Sequence, residues 1–254
     1  MEEKILNIDN DGVMPEGQYE SIKVQRDATN NGKVCATSIE IGGNARLTDT
    51  IEAASIIING DLSLTGIIRT ESLIVRGDAE ILGTVEADEI TIDGNTEIKD
   101  EVTANKFIAK GNVNLESVLT AKELKIEYLL TGKNTIRAER MEVVGRIDFD
   151  GTIEAELFVG KAFHRGYIKS LKADQIEILH PFFLLHPTSL IYRDYFTIEE
   201  VECNRMYAES TGMTVVRGAD IELAKRCIVE DLEYLNTLTA TENCRLLSVE
   251  KIEE

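Results

Sequence analysis

The stretch Ile56-Ile57-Ile58-Asn59-Gly60-Asp61-Leu62-Ser63-Leu64-Thr65-Gly66-Ile67-Ile68-Arg69-Thr70-Glu71-Ser72 is one copy of a 17-residue unit. Eight such copies run without a gap from Ile22 to Leu157. Set one under another, they form columns. The first column reads Ile22, Ile39, Ile56, Leu73, Ile90, Phe107, Leu124, Met141, and the third reads Val24, Ile41, Ile58, Val75, Ile92, Ala109, Ile126, Val143. The fifteenth is alanine in all copies but one, where it is Thr70. A fixed period of this length is the signature of a solenoid.

Within the unit the apolar positions are 1, 3, 7, 9, 13 and 15. Residues two apart share one face of a strand, so each unit predicts three short strands meeting at corners. A helix is excluded, because helical apolar spacing is three and four. The expected fold is all-β, a single-stranded parallel β-helix of triangular section with about 17 residues per coil, stacked about 4.8 Å apart. Position 5 is glycine in six copies, from Gly43 to Gly145, and position 11 is Gly, Asp, Asn or Ser. These residues predict corners that use positive φ angles. Small alanine at position 15 suits a tight interior corner.

Composition narrows the function. The chain has 254 residues, a net charge of −19 and no Trp. That balance argues against nucleic acid, which is gripped through Lys and Arg, and against adsorption to anionic lipid. No apolar run is long enough to span a bilayer, and Met1 to Ser21 lacks the pattern of a signal peptide. The cytoplasm is the expected location, with the inner face of the cell membrane reached through partners. Cys35, Cys203, Cys227 and Cys244 include no C-x-x-C pair, so neither zinc nor any other metal or cofactor is expected. Cys227 and Cys244 stand one coil apart and read as reduced, stacked neighbours.

The period breaks near residue 158. Leu171, Ala173, Ile176 and Ile178 resume it one residue late, and then His180-Pro181-Phe182-Phe183-Leu184-Leu185-His186-Pro187 interrupts it. Proline cannot donate to a central ladder, so this segment reads as a flap. The 17-residue spacing returns in Val215, Leu232 and Val249, and in Leu235 and Ile252. The expected organisation is therefore an acidic N-terminal tail (1–21), a β-helix of about nine coils (22–178), a Pro/aromatic interruption or flap (179–213), and C-terminal coils (214–254).

No catalytic constellation is present. His164, His180 and His186 have no nucleophile or oriented carboxylate beside them in the sequence, and the glycines follow the coil rhythm rather than a phosphate loop. The chain reads as a non-enzyme. Two surfaces stand out instead. A terminal coil exposes an open apolar interior and backbone groups without partners, which points to Val249 and Ile252 at one end as an end-to-end interface, and to Ile22 and Val24 at the other unless Ile5, Leu6, Ile8 and Val13 fold over that coil. Position 2 should face solvent yet holds Ile57, Ile74 and Ile108, an apolar stripe for a lateral contact or a dock for Phe182 and Phe183 of the flap.

Three stretches carry a family resemblance: Met206-Tyr207-Ala208-Glu209-Ser210-Thr211, Val215-Val216-Arg217-Gly218, and Cys227-Ile228-Val229-Glu230-Asp231-Leu232-Glu233-Tyr234. Together with repeats of the Gly77-Asp78-Ala79-Glu80-Ile81 type, they resemble the bactofilins, polymer-forming cytoskeletal proteins of bacteria, in the longer form found in Gram-positive species. The resemblance spans nearly the whole chain. It implies a right-handed β-helix and nucleotide-independent, end-to-end assembly into non-polar filaments that scaffold other, unidentified proteins. The chain's main partner would be itself. Two other readings fit a triangular coil. One is a monomeric or oligomeric interaction scaffold that docks a partner through the flap. The other is a hexapeptide-type acyltransferase. That family keeps an unbroken hexad rhythm, which this chain does not, and needs a base, usually His; residues 22–157 contain none.

Overall fold

A computed structural model describes residues 4–162, 166–179 and 196–253. Among them there is no helix, and nineteen strands form in chain order. The chain divides into two compact units, Met1–Ile126 and Glu127–Glu254. Each is an all-parallel β-solenoid.

The first unit begins with β1 (Ile5–Ile8), β2 (Gly12–Val24) and β3 (Ala28–Ile41). Long and short strands then alternate. The long ones are β5 (Ile51–Ile58), β7 (Ile68–Val75), β9 (Val85–Ile92), β11 (Val102–Ala109) and β13 (Leu119–Ile126). The short ones are β4 (Ala45–Leu47), β6 (Leu62–Leu64), β8 (Ala79–Ile81), β10 (Thr96–Ile98) and β12 (Asn112–Leu115). Long pairs with long and short with short, in the expected 17-residue register: Ile56 lies against Leu73, Leu73 against Ile90, and Ile90 against Phe107. Those side chains are fully buried. Burying each contributes roughly 1.5–3 kcal/mol, and the columns thus fill the interior.

The three expected strands per coil arrive as two. Positions 13–15 and 17–3 lie on one long strand that bends between them. Pairing runs from Ala53↔Thr70 directly to Ser55↔Ser72, omitting Ala54 and Glu71. That gap is the third corner, made without glycine.

The glycine corners differ from expectation. Gly43, Gly60, Gly77, Gly94 and Gly111 are absent from the positive-φ residues, whereas Gly145, at the same position of the unit, has the expected positive φ (125°). What excludes a side chain there is the coil below: a Cβ on Gly77 would strike Asp61 Oδ1 and the Gly60 carbonyl. Of position 11, Gly32 (φ 85°) and Asn134 (φ 78°) do adopt the left-handed conformation.

Residues 5–21 are a coil rather than a tail. Leu6 pairs with Ile22 and Ile8 with Val24, a 16-residue register. Ile22 and Val24 are consequently 1% exposed and do not form an end face; β1 covers them. One residue too few in this first coil moves Leu6 and Ile8, rather than Ile5, into the inward columns.

The second unit contains β14 (Leu129–Ala162), β15 (Gly166–Ile178), β16 (Phe196–Glu209), β17 (Thr211–Ala224), β18 (Ile228–Ala240) and β19 (Arg245–Lys251). Each pairs in parallel with the next. Coil length varies. Ile153 meets Leu171, one residue late as expected. Ile168 meets Ile198, so that coil is nearly twice the usual length. Ile198 meets Met213, so the next coil is shorter than the repeat. β16 therefore lies within the segment read as an interruption, and the coil resumes at Phe196. Val216, not Val215, faces Leu232, which in turn faces Val249. Phe182 and Phe183, with the rest of 180–195, lie outside the described residues.

Candidate assembly surfaces

β19 pairs with β18 along one edge and has no strand on its other edge among the described residues. Its side chains show the consequence. Leu247 is 57% exposed, Val249 46% and Ile252 38%, although Val249 continues the column of Val216 and Leu232, both buried. An inward-facing column position is left open only where the next coil is missing. Leu235, Leu238 and Leu246 are half-buried beside it. β1 offers the corresponding edge of the first unit. Ile5 is 58% exposed, Val13 in β2 is 54% exposed, and Leu6 and Ile8 are half-buried. The sequence placed Val249 and Ile252 on such an edge; it offered Leu6 and Ile8 as a cover for the first coil but not their 16-residue register, which stands outside the repeat.

The lateral stripe is in register. Glu40, Ile57, Ile74, Thr91, Ile108 and Lys125 stack on successive coils of the first unit. All three isoleucines are half-buried.

A polar ladder runs along the corner after position 5. Asn44 N–H donates to Asp27 Oδ1 (2.7 Å), Asp61 N–H to Asn44 Oδ1 (2.8 Å), and Asp78 N–H to Asp61 Oδ1 (2.8 Å). Asn95 N–H then donates to Asp78 Oδ1 (2.6 Å) and Asn112 N–H to Asn95 Oδ1 (3.2 Å). Each side chain thus satisfies a corner backbone donor of the next coil. This column lines a shallow groove of about 740 Å³. The side-chain oxygens of Asp27, Asn44, Asp61, Asp78 and Asn95 are used by the fold, whereas Thr96 Oγ1 and Asn112 Oδ1 are buried without a partner among the described residues.

In the second unit the Tyr207–Thr211 stretch builds a buried network. Tyr207 Oη donates to Glu209 Oε1 (2.7 Å) and Lys225 Nζ donates to Glu209 Oε2 (2.7 Å). Glu209 is 7% exposed. The hydrogen bond to Glu209, aided by burial, pushes the Tyr207 phenol up to about 12. Ser210, Lys225 and Arg226 around it have positive φ, so the network holds a corner that glycine does not make. Burial pushes the Cys203 thiol up to about 12 and the Cys227 thiol up to about 11. All four cysteines are free.

Among the described residues no group of three or more His, Cys, Asp or Glu side chains is placed to hold a metal ion, and no helix is long and apolar enough to cross a membrane. His164, His180 and His186 lie outside the described residues. No family model, curated protein or solved structure is matched by this chain.

Proposed function

We propose that the protein is a non-enzymatic cytoskeletal scaffold of the bactofilin kind, which assembles into filaments by stacking β-solenoid ends, without nucleotide. The observation that carries this reading is the open edge of β19, where Val249 continues the buried column of Val216 and Leu232 into solvent and Leu247 and Ile252 are exposed beside it. A parallel edge strand templates the next strand, and burying such side chains drives association. The matching joint on the first unit would be formed by Leu6, Ile8 and the exposed Ile5 of β1. The bactofilin resemblance of the Tyr207–Thr211 and Cys227–Tyr234 stretches supports the same reading. Recruited proteins would bind along the outward columns. The expected setting is the bacterial cytoplasm or the inner face of the membrane.

Negative-stain electron microscopy of the purified chain, at several salt concentrations and with no nucleotide, tests this. Filaments are expected, and Val249→Glu with Leu247→Glu should dissolve them. Discrete particles persisting at high protein and salt concentration would overturn the reading.

A further inference from the structure

The face that carries Ile57, Ile74 and Ile108 has a charge pattern that selects one partner geometry. Six coils contribute a row each, in strict register. The outward residues, row by row, are Ser38/Glu40, Ser55/Ile57/Asn59, Ser72/Ile74/Arg76, Glu89/Thr91/Asp93, Lys106/Ile108/Lys110 and Glu123/Lys125. A charged residue bounds the apolar stripe at each end, Glu40 on one side and Lys125 on the other.

From this pattern we infer that the face binds a second copy of itself, with the two solenoid axes antiparallel. A two-fold axis lying along the strands, between the Ile74 and Thr91 rows, sets each column against itself with the row order reversed. Ile57 then meets Ile108 of the other copy, Ile74 meets Thr91, Glu40 meets Lys125, and Arg76 meets Asp93. The remaining mates are serine against Glu123, Lys106 or Glu89, and Asn59 against Lys110. No like charges are opposed. Moving the axis by half a row either way sets Lys125 against Lys23 or Ile57. A two-fold axis along the solenoid fails more severely: it sets Glu40 on Glu40, Lys125 on Lys125, Glu89 on Asp93 and Lys106 on Lys110. Like charges directly opposed are destabilising, so the orientation along the solenoid is excluded, and among the antiparallel registers this one alone seats all six rows and pairs Glu40 with Lys125.

The ion pairs within the chain are compatible with this contact. Lys23–Glu40 (3.1 Å), Lys106–Glu89 (2.6 Å) and Lys110–Asp93 (2.6 Å) run along the columns between neighbouring coils, and their side chains are 38–58% exposed. They lie flat on the face and can be shared across it. The face measures on the order of 450 Å² per copy from strand and residue spacings, below the ~800 Å² per partner of a stable interface. One pair of faces is therefore weak. Repetition along two filaments makes the contact strong through avidity, and this amplification, though not the pairing itself, rests on the polymer reading.

The test is disulfide mapping in the double variant Ile57→Cys with Ile108→Cys. The two positions are three coils apart in one chain, about 14 Å, beyond the ~7 Å Cα reach of a disulfide, so a 57–108 link joins two chains. Both side chains face outward and half-exposed, leaving the interior intact. After mild oxidation with a small-molecule disulfide, mass spectrometry should find 57–108 peptides at least ten-fold over 57–57 and 108–108. Glu40→Lys alone and Lys125→Glu alone should each lower that yield at least five-fold, and the two together should restore it, which a merely structural role for either residue would not produce. Predominant 57–57 links would overturn the antiparallel geometry. Absence of 57–108 product would overturn the pairing, and if filaments still form, the polymer reading survives it. A 57–108 product without filaments would uphold the face and count against end-to-end assembly.

Discussion

Asp78 Oδ1 accepts a hydrogen bond from the N–H of Asn95 at 2.6 Å, the shortest rung of a ladder that joins the same corner of successive coils. Asp78 N–H in turn donates to Asp61 Oδ1. What the ladder requires is a short side chain with a carbonyl-like oxygen, and Asn meets that requirement as well as Asp. Asp78→Ala should lower the stability of the first unit by about 1 kcal/mol. Asp78→Asn should be neutral or slightly stabilising, because it keeps the acceptor and relieves repulsion from Asp61 one coil below. Urea unfolding of the two variants separates acceptor loss from charge loss.

The glycines of the same corner are held by contact, not by φ. Gly77→Ala drives a Cβ into the Gly60 carbonyl and Asp61 Oδ1, and should cost about 2 kcal/mol or more. Gly212→Ala in β17 is the control. Its Cβ would sit in ordinary contact, 3.4 Å from Thr197 Cγ2, and the variant should be neutral or stabilised by about 0.5 kcal/mol. Thermal denaturation distinguishes them.

Glu209 is a buried acceptor shared by Tyr207 and Lys225. Tyr207→Phe should cost about 1.5 kcal/mol, the worth of a hydrogen bond to a charged group. Lys225→Met should cost a similar amount, less than a fully buried pair would, because the lysine side chain is 46% exposed. A double-mutant cycle should show the two losses to be non-additive.

Alkaline pH should weaken the second unit. Burial raises the Cys227 thiol to about 11 from an ordinary 9.0, so the folded state retains a proton that the unfolded chain releases. That stability is fully present below pH 9, falls between about pH 9 and 11, and is gone above. At pH 10 the loss is about 1 kcal/mol. Urea midpoints at pH 7 and pH 10 measure it, and Cys227→Ala should reduce the difference, leaving the part that the buried Cys203 thiol contributes. The reverse trend would contradict the burial of the thiol.

The parts of the fold that were legible from sequence are those with side chains in columns. Ile56, Leu73, Ile90 and Phe107 declare both the strand period and the coil length, because an interior one coil wide has no other place for them. The coil of Leu6 and Ile8 was legible only as apolar surface able to fold over Ile22; its register was not, since a single missing residue shifts it out of the column while the local composition stays acidic. β16 was hidden by its neighbours. The coil before it is nearly double the repeat and the one after falls short of it, so no fixed period reaches it. The Asp27-to-Asn112 ladder left no apolar signature at all; its signal was an Asx residue following each corner glycine. For the assembly surfaces, the sequence identified Val249 and Ile252 correctly as column residues. Whether Ile22 was an end depended on what lay above it, which the residue itself does not encode.

The ladder also governs how such a chain changes over generations. In the first unit every coil from Ile22 to Ile126 returns at the same interval, and the shorter Asx rungs repeat with it, while the 16-residue coil before them keeps a longer one, from Asp27 N–H to Asp11 Oδ1 at 3.3 Å. Loss of Gly77–Asp93 as a block would rejoin Arg76 to Gly94 and let Asp61 receive the N–H of Asn95, and duplication of the block would add one rung. A change of one residue would disturb the rung that spans it and leave the rungs beyond, whose interval is unchanged, in place. The second unit lacks this constraint and tolerates a coil of nearly double length beside shortened ones. Length in the first unit is thus inherited as a whole number of turns, while novelty in loop size accumulates in the second.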